Sequence, residues 1–133
     1  MTKYLLDTNV CIFYFKGKYG VSERLQQAGF ESCAISEITL AELVYGAKCS
    51  VDIEKNMNII NNFIHRIKVL PILKAIEAYA NEKALLRKTG NMIDDLDIFI
   101  GATAIANNMI LVTDNEKHLG RLSQIQIENW IKR

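Results

Sequence analysis

A mainly parallel β-sheet covered by helices on both faces is the fold class this sequence predicts, and three observations predict it. The apolar runs Lys3-Tyr4-Leu5-Leu6, Ser32 to Ile35 and Met109 to Val112 are short, as strands are. They are almost continuously apolar rather than alternating, which marks strands buried on both faces. Longer stretches with helical periodicity separate them, and alternation of strand and helix builds a layered α/β domain.

Taken in order, residues 3–6 form a buried strand, and Thr8 or Asn9 can cap a helix through Val10 to Phe15. A second short helix at residues 21–28 ends near Gly29. Ser32 to Ile35 is the next strand, after which Ser36 is an N-cap for a helix to about Ala47. Two longer helices follow at about residues 51–66 and 73–88, free to pair with each other or with a partner chain. In the first of them Ile53, Met57, Ile60 and Ile64 share one face. Between the two, Val69-Leu70-Pro71 supplies a strand-like break, and Gly90 stops the second. Asp94 caps a helix from Asp95 to Asn107, Met109 to Val112 is a buried strand, and Ile125 to Ile127 is a candidate edge strand.

The chain has 133 residues, 50% of them hydrophobic, enough for one domain spanning residues 1–133. Sixteen Lys and Arg against 15 Asp and Glu leave a net charge of +1, so no global field marks a nucleic-acid or membrane binder. Cys11, Cys33 and Cys49 form no CxxC pair and cannot all be paired, which fits a reducing, cytoplasmic setting with the three as buried apolar fillers. The N-terminus lacks a signal-peptide pattern, and no stretch reaches the roughly 18 apolar residues of a membrane span. His65 and His118 lack zinc-site spacing and read as surface residues, while Trp130 reads as a packing anchor. Lys16 and Lys18, or Arg87 and Lys88, are possible phosphate contacts that solvated helix faces explain equally well.

Acidic residues in apolar settings carry the functional signal. Asp7 closes the first apolar run, Glu42 interrupts the stripe Ile38, Ala41, Tyr45, and Asp97 opens the run Ile98-Phe99-Ile100-Gly101-Ala102. Carboxylates beside buried surface cost free energy unless their charge is offset. If the fold gathers them, a bound divalent cation is the most economical compensation. In this fold class, active sites form beyond the carboxyl ends of the strands, where Asp7 and the turn Thr113-Asp114-Asn115 fall. Each acid alone also has an ordinary explanation as a helix cap, a solvated helix margin or a turn residue.

Their joint order resembles the PIN-domain nucleases, most closely the VapC-type toxins of type II toxin–antitoxin systems. Tyr4-Leu5-Leu6-Asp7-Thr8-Asn9 resembles the opening of that family, Ser36-Glu37-Ile38-Thr39-Leu40-Ala41-Glu42-Leu43 its second motif, Asp97-Ile98-Phe99-Ile100-Gly101-Ala102 its third, and Ile127-Glu128-Asn129-Trp130 its ending. The resemblance implies a three-layer α/β/α fold with a central, mainly parallel sheet. It also implies a ribonuclease dependent on Mg²⁺ or Mn²⁺, with Asp7, Asp97 and Glu42 as its acids. A fourth family position follows the Thr of the late strand; here the Thr-x-Asp register lands on Asn115, with Asp114 beside it, and either can face the metal.

The chemistry is consistent with that reading. An anionic phosphodiester attacked by water needs a cation to bridge it to carboxylates. Asp7 and Asp97 are expected to be the principal ligands, and Glu42 to bind through water or orient the nucleophile. Thr8, Asn9 and Asn115 are expected to hold surrounding waters. As a toxin the chain is expected to cleave a tRNA, rRNA or mRNA and arrest growth until a cognate antitoxin neutralises it, that partner lying against the helices at 51–66 and 73–88. A homodimer is expected as well. Two other functions compete: a catalytically silent PIN domain that binds RNA or protein, and a phosphatase of the haloacid dehalogenase type. The second is disfavoured because Asn9 stands where such enzymes carry another Asp.

Overall fold

The computed structural model describes residues 2–133. Five short strands, β1 (Tyr4–Leu6), β2 (Cys33–Ser36), β3 (Lys68–Leu70), β4 (Ile110–Val112) and β5 (Ile127–Glu128), form one sheet in the order β3-β2-β1-β4-β5. Every pairing is parallel. Leu5 in the central strand lies opposite Ala34 on one side and Leu111 on the other.

Side-chain alternation splits the core into two layers. Tyr4, Leu6, Cys33, Ile35 and Val112 face one side, while Leu5, Ala34, Leu70 and Leu111 face the other. The first side is covered by α1 (Thr8–Phe15), α2 (Val21–Ala28), α3 (Glu37–Lys48) and α4 (Ile53–Ile64). The second is covered by α5 (Ile76–Thr89), α6 (Asp95–Ala106) and the single turn α7 (Glu116–Leu119). Leu5, Leu6, Ile35 and Leu111 are fully buried, and each contributes about 1.5–3 kcal/mol by leaving water. The fold is therefore the three-layer α/β/α arrangement with an all-parallel sheet.

Several boundaries differ from the sequence expectation for local reasons. The cap of α1 is Asp7 itself, whose Oδ1 accepts the Thr8 N–H at 2.8 Å, so the helix begins two residues before Val10. Ser36 caps α3 as expected, accepting from Thr39 N–H at 3.0 Å, and also ends β2. The break at Val69-Leu70 is a full strand of the sheet, paired along β2. A single 3₁₀ turn, Leu73–Ala75, leads into α5, and Gly90 at φ 72° terminates it. The edge strand lies two residues beyond Ile125. No helix among the described residues is long and apolar enough to cross a membrane.

The helices at 53–64 and 76–89 do not pair with each other: they sit on opposite faces of the sheet. Cys11 and Cys33 are buried, but Cys49, just past the end of α3, is exposed and is no core filler. Trp130 is the packing anchor expected of it, edge-on to Tyr4 at 5.1 Å. Glu82, unremarkable in sequence, is buried on α5 and accepts the N–H and hydroxyl of Ser123, both at 2.7 Å, tying the segment before β5 to the helical layer. Gly101 is buried where α6 approaches Leu122 so closely that a Cβ would overlap the Leu122 side chain.

Candidate active site

The strand order reverses between β1 and β4: successive strands from β1 run one way to β2 and β3, and the other side is filled by β4 and β5. That switch opens a crevice beyond the carboxyl ends of the two strands. Asp7 is the first residue after β1 and Thr113 the first after β4. Their backbones are already tied there, Asp7 N–H donating to Val112 O at 2.9 Å.

Both oxygens of Asp7 are occupied from below. Oδ1 caps α1, and Oδ2 accepts the Thr113 hydroxyl at 2.7 Å. Asp7 is buried, and burial pushes its carboxyl above the usual carboxylate range against the lowering effect of the Thr113 and Thr8 hydrogen bonds. Each oxygen keeps lone pairs directed elsewhere, so the side chain is held rigidly without being exhausted as an acceptor.

Glu42 enters from α3. The buried face of that helix is Thr39, Leu43 and Ala47, whereas Ala41 and Tyr45 point to solvent, Tyr45 being 72% exposed. Of the stripe read from the sequence only Ile38 packs on the core, against the second layer, and Glu42 sits half-buried at the margin. What fixes it is Thr8, whose Oγ1 donates to Glu42 Oε1 at 2.6 Å, with the Thr39 hydroxyl 3.2 Å from Thr8 Oγ1. Thr8, expected to hold a water, thus contacts Glu42 directly.

Asp97 comes from the first turn of α6 and is half-buried. Its carboxyl is pushed up to about 6, first by burial and then by the negative charges of Asp7, Asp94 and Glu42. Those couplings place the three sequence-predicted acids in one electrostatic neighbourhood. Asp94 occupies the N-cap position of α6 but makes no capping bond with its side chain.

The fourth position divides. Asp114 is drawn outward: Arg133 grips it through two hydrogen bonds, Nη1 to Oδ1 at 3.0 Å and Nη2 to Oδ2 at 2.7 Å, and Asn129 adds a third. The guanidinium holds the Asp114 carboxyl below its ordinary range. Asn115 is half-buried, its N–H donating to Thr113 Oγ1 at 3.0 Å, and its side chain caps nothing. Asn9 is exposed on the first turn of α1. Arg133 carries no signal in the sequence, since nothing marks it as the partner of an acid 19 residues earlier, and Asn129 enters there only within Ile127-Glu128-Asn129-Trp130.

Asp7, Glu42 and Asp97 have no Lys, Arg or His within ion-pair distance among the described residues; the ion pairs lie elsewhere, at Arg24–Glu128, Lys83–Asp95 and Arg133–Asp114. An uncompensated, partly desolvated set of hard oxygen donors fits Mg²⁺ or Mn²⁺ by its chemistry. Among the described residues no three acidic, His or Cys side chains close into a ready-made metal cage. Such an open set fits Mg²⁺, which keeps several waters and takes only one or two carboxylates directly.

Comparison with known proteins agrees with this arrangement. The PIN domain family profile matches residues 4–124. Ribonuclease VapC2 of Haemophilus influenzae is 37% identical over 133 residues, covering 98% of this chain and all of that one. The tRNA(fMet)-specific endonuclease VapC of Shigella flexneri is 36% identical over 132 residues, 98% of this chain and 99% of its own. Among solved structures, DNA-bound VapBC from Salmonella typhimurium superposes with a TM-score of 0.92 at 34% identity, covering 98% of this chain and 99% of that one. With matches spanning nearly its whole length, the chain belongs to the PIN-domain family and, within it, to the VapC ribonucleases.

Proposed function

We propose that this protein is an endoribonuclease dependent on Mg²⁺ or Mn²⁺ and the toxin of a type II toxin–antitoxin pair. The observation that carries the reading is the uncompensated acid set Asp7, Glu42 and Asp97 at the strand-order switch, with Asp97 pushed up to about 6 by burial and its acidic neighbours. The chemistry such a cation would supply is Lewis-acid activation of water and of the phosphate. Asp7 and Asp97 are the residues to hold it, Asp7 prealigned by Thr113 and the α1 backbone. Glu42, fixed by Thr8, is placed to orient the attacking water or accept its proton. Asn115 is free to hold a further water, while Asp114 serves the Arg133 clamp.

The substrate to try first is initiator tRNA, because relatives at 36% and 35% identity carry the name tRNA(fMet)-specific endonuclease. Purified protein should cleave it with Mn²⁺, stop in excess chelator, and lose cleavage as Asp97→Asn. Full activity of Asp97→Asn, or of the wild type in chelator, would overturn the metal-dependent reading, and no cleavage by the wild type with Mn²⁺ would leave a catalytically silent PIN domain.

An antitoxin partner is supported by the VapBC assemblies among the similar structures. The surface that suits it is not formed by α4 and α5, which lie on opposite faces. A groove of about 570 Å³ runs instead between α1, α3 and α4, floored by Ile12, Phe15, Leu43 and Ile60, with Lys16 and Lys55 among its lining and Glu42 within reach. An apolar helix with acidic flanks would fill it and obstruct Glu42. Co-expression of the neighbouring small reading frame should relieve growth arrest, and Ile12→Glu should abolish that relief without removing cleavage. A homodimer belongs to the same proposal, with Leu73 and Ile76, exposed at the start of α5, as apolar surface for a second copy. Light scattering of the purified chain tests it.

A further inference from the structure

Asp114 stands between two residues wired to the acid site. Thr113 donates its hydroxyl to Asp7 Oδ2 at 2.7 Å, and Asn115 N–H donates to that same hydroxyl oxygen at 3.0 Å. The orientation of Asp7 therefore depends on the backbone of the turn Thr113-Asp114-Asn115. The carboxylate at the centre of this turn is drawn outward and gripped by the segment that follows β5.

That segment is a strap with its own moorings. Trp130 is buried edge-on to Tyr4, Asn129 Oδ1 accepts the Ile131 N–H at 2.9 Å, and Lys132 N–H donates to Tyr19 O at 2.9 Å. Tyr19 lies on the loop between α1 and α2 at φ 61°, uncommon for a residue with a side chain, and the strap secures that conformation. Its ring is edge-on to Phe13 at 4.8 Å and has the Arg133 guanidinium 5.0 Å from its centroid. The guanidinium is thus seated on an aromatic face while its fork closes on Asp114, Nη1 on Oδ1 at 3.0 Å and Nη2 on Oδ2 at 2.7 Å. Asn129 adds a donor to Asp114 Oδ1 at 3.2 Å and a second to Glu116 Oε2 at 3.1 Å.

An exposed ion pair ordinarily adds little stability, and the strap does not need this one to dock, since Trp130 and the Lys132 backbone already secure it. What the fork adds is direction. Two parallel bonds fix the plane of the Asp114 carboxylate, which a single contact would leave free to turn. We infer that Arg133 is a positioning residue of the acid site: through Asp114 it holds the turn so that the Thr113 hydroxyl stays on Asp7. The kinetic consequence rests on the ribonuclease reading of that site; the hold on the turn does not.

The test compares the full chain as wild type, Arg133→Gln, Asp114→Asn and the double substitution, first without metal. Amide hydrogen exchange at Asn115 reads the turn directly, because its N–H is bonded to Thr113 Oγ1. Arg133→Gln should speed that exchange about tenfold, while Leu5 and Leu111 in the sheet keep their protection and the melting temperature barely moves. In Mn²⁺, with initiator tRNA as substrate, kcat should fall roughly tenfold and KM stay within a factor of two, as for a group that acts through its neighbours rather than on the substrate. The double substitution should be no worse than Arg133→Gln, because both residues serve one grip. Wild-type exchange at Asn115 in Arg133→Gln overturns the inference. So does exchange that quickens across the whole sheet together with a lower melting temperature, since Arg133 then serves the fold at large. A raised KM with unchanged kcat also overturns it, by making Arg133 a phosphate contact, and so does tighter Mn²⁺ binding in calorimetry, by making Asp114 a ligand that the clamp holds off. A wild type that cleaves no RNA refutes the ribonuclease and leaves exchange at Asn115 to decide the strap.

Discussion

Thr8 and Glu42, 34 residues apart in the chain, are joined by a 2.6 Å hydrogen bond that fixes a helix-borne carboxylate to the residue after the first strand's Asp. Without it Glu42 is a marginal side chain on α3, free to swing toward solvent. Thr8→Val keeps the shape and removes the donor, so cleavage is expected to fall roughly 10- to 100-fold. Thr8→Ser should restore most of it. Equal activity of Thr8→Val and wild type, measured as kcat/KM in Mn²⁺, would show that Glu42 needs no anchor.

Asp97 sets a pH dependence whose sign is unusual for a carboxylate. Its folded-state value is raised to about 6 from 3.8, and Asp7 is raised as well. Between these values the unfolded chain has released the proton that the folded chain retains, so metal-free stability should fall as pH rises from about 4 to 6 and then level off. Divalent-ion affinity should move oppositely, rising through pH 6 as the competing proton leaves. Thermal melts from pH 4 to 8 with and without Mn²⁺ read both trends, and Asp97→Asn should flatten both.

The two principal acids should part company on substitution. Asp7 caps α1 and receives Thr113, so Asp7→Ala is expected to cost about 1–2 kcal/mol through the cap alone. Asp97→Asn removes a repulsive charge, and its metal-free melting temperature should equal or exceed that of wild type. It should lose most of the rise that Mn²⁺ gives wild type, about 2.7 kcal/mol at a hundredfold excess over Kd. Calorimetry of the three proteins decides the point. An Asp97→Asn protein that melts well below wild type yet gains the full metal increment would relocate the metal.

Gly101 offers a test of packing independent of chemistry. Its missing Cβ is the space taken by Leu122, so Gly101→Ala should destabilise by about 1–3 kcal/mol despite the better helix propensity of Ala. Leu122→Ala alone should also destabilise, by opening a cavity. The double substitution should be milder than the sum, which urea denaturation of the four proteins measures.

The strands and the three main acids were legible in the sequence because each depends on local pattern: apolar runs of strand length, and carboxylates interrupting them. Ser36 and Gly90 were legible for the same reason, as cap and stop. What escaped was decided by partners distant in sequence. The solvent side of α3 could not be told from its core side because Ala41 and the exposed Tyr45 continue the apolar pattern of Ile38, which alone of the three packs inward. Nothing near Asp114 announced Arg133, and the bond between Thr113 and Asp7 spans 106 residues. The face of the sheet that each helix covers is likewise a property of topology, so nothing in the sequence separates α4 from α5, which the sheet keeps apart.

The junction of β1 with β4 bears on when this protein becomes dangerous to the cell that makes it. Asp7 leaves the ribosome among the earliest residues, yet the hydroxyl that orients it belongs to Thr113, and β1 lacks one of its two neighbours until Ile110–Val112 has emerged. Asp97 arrives scarcely earlier. A nascent chain can therefore carry two of its acids for most of its synthesis while remaining harmless, and products truncated before β4 should be inert. The switch from inactive polypeptide to competent nuclease therefore waits on the pairing of β4 with β1, the last event to orient Asp7.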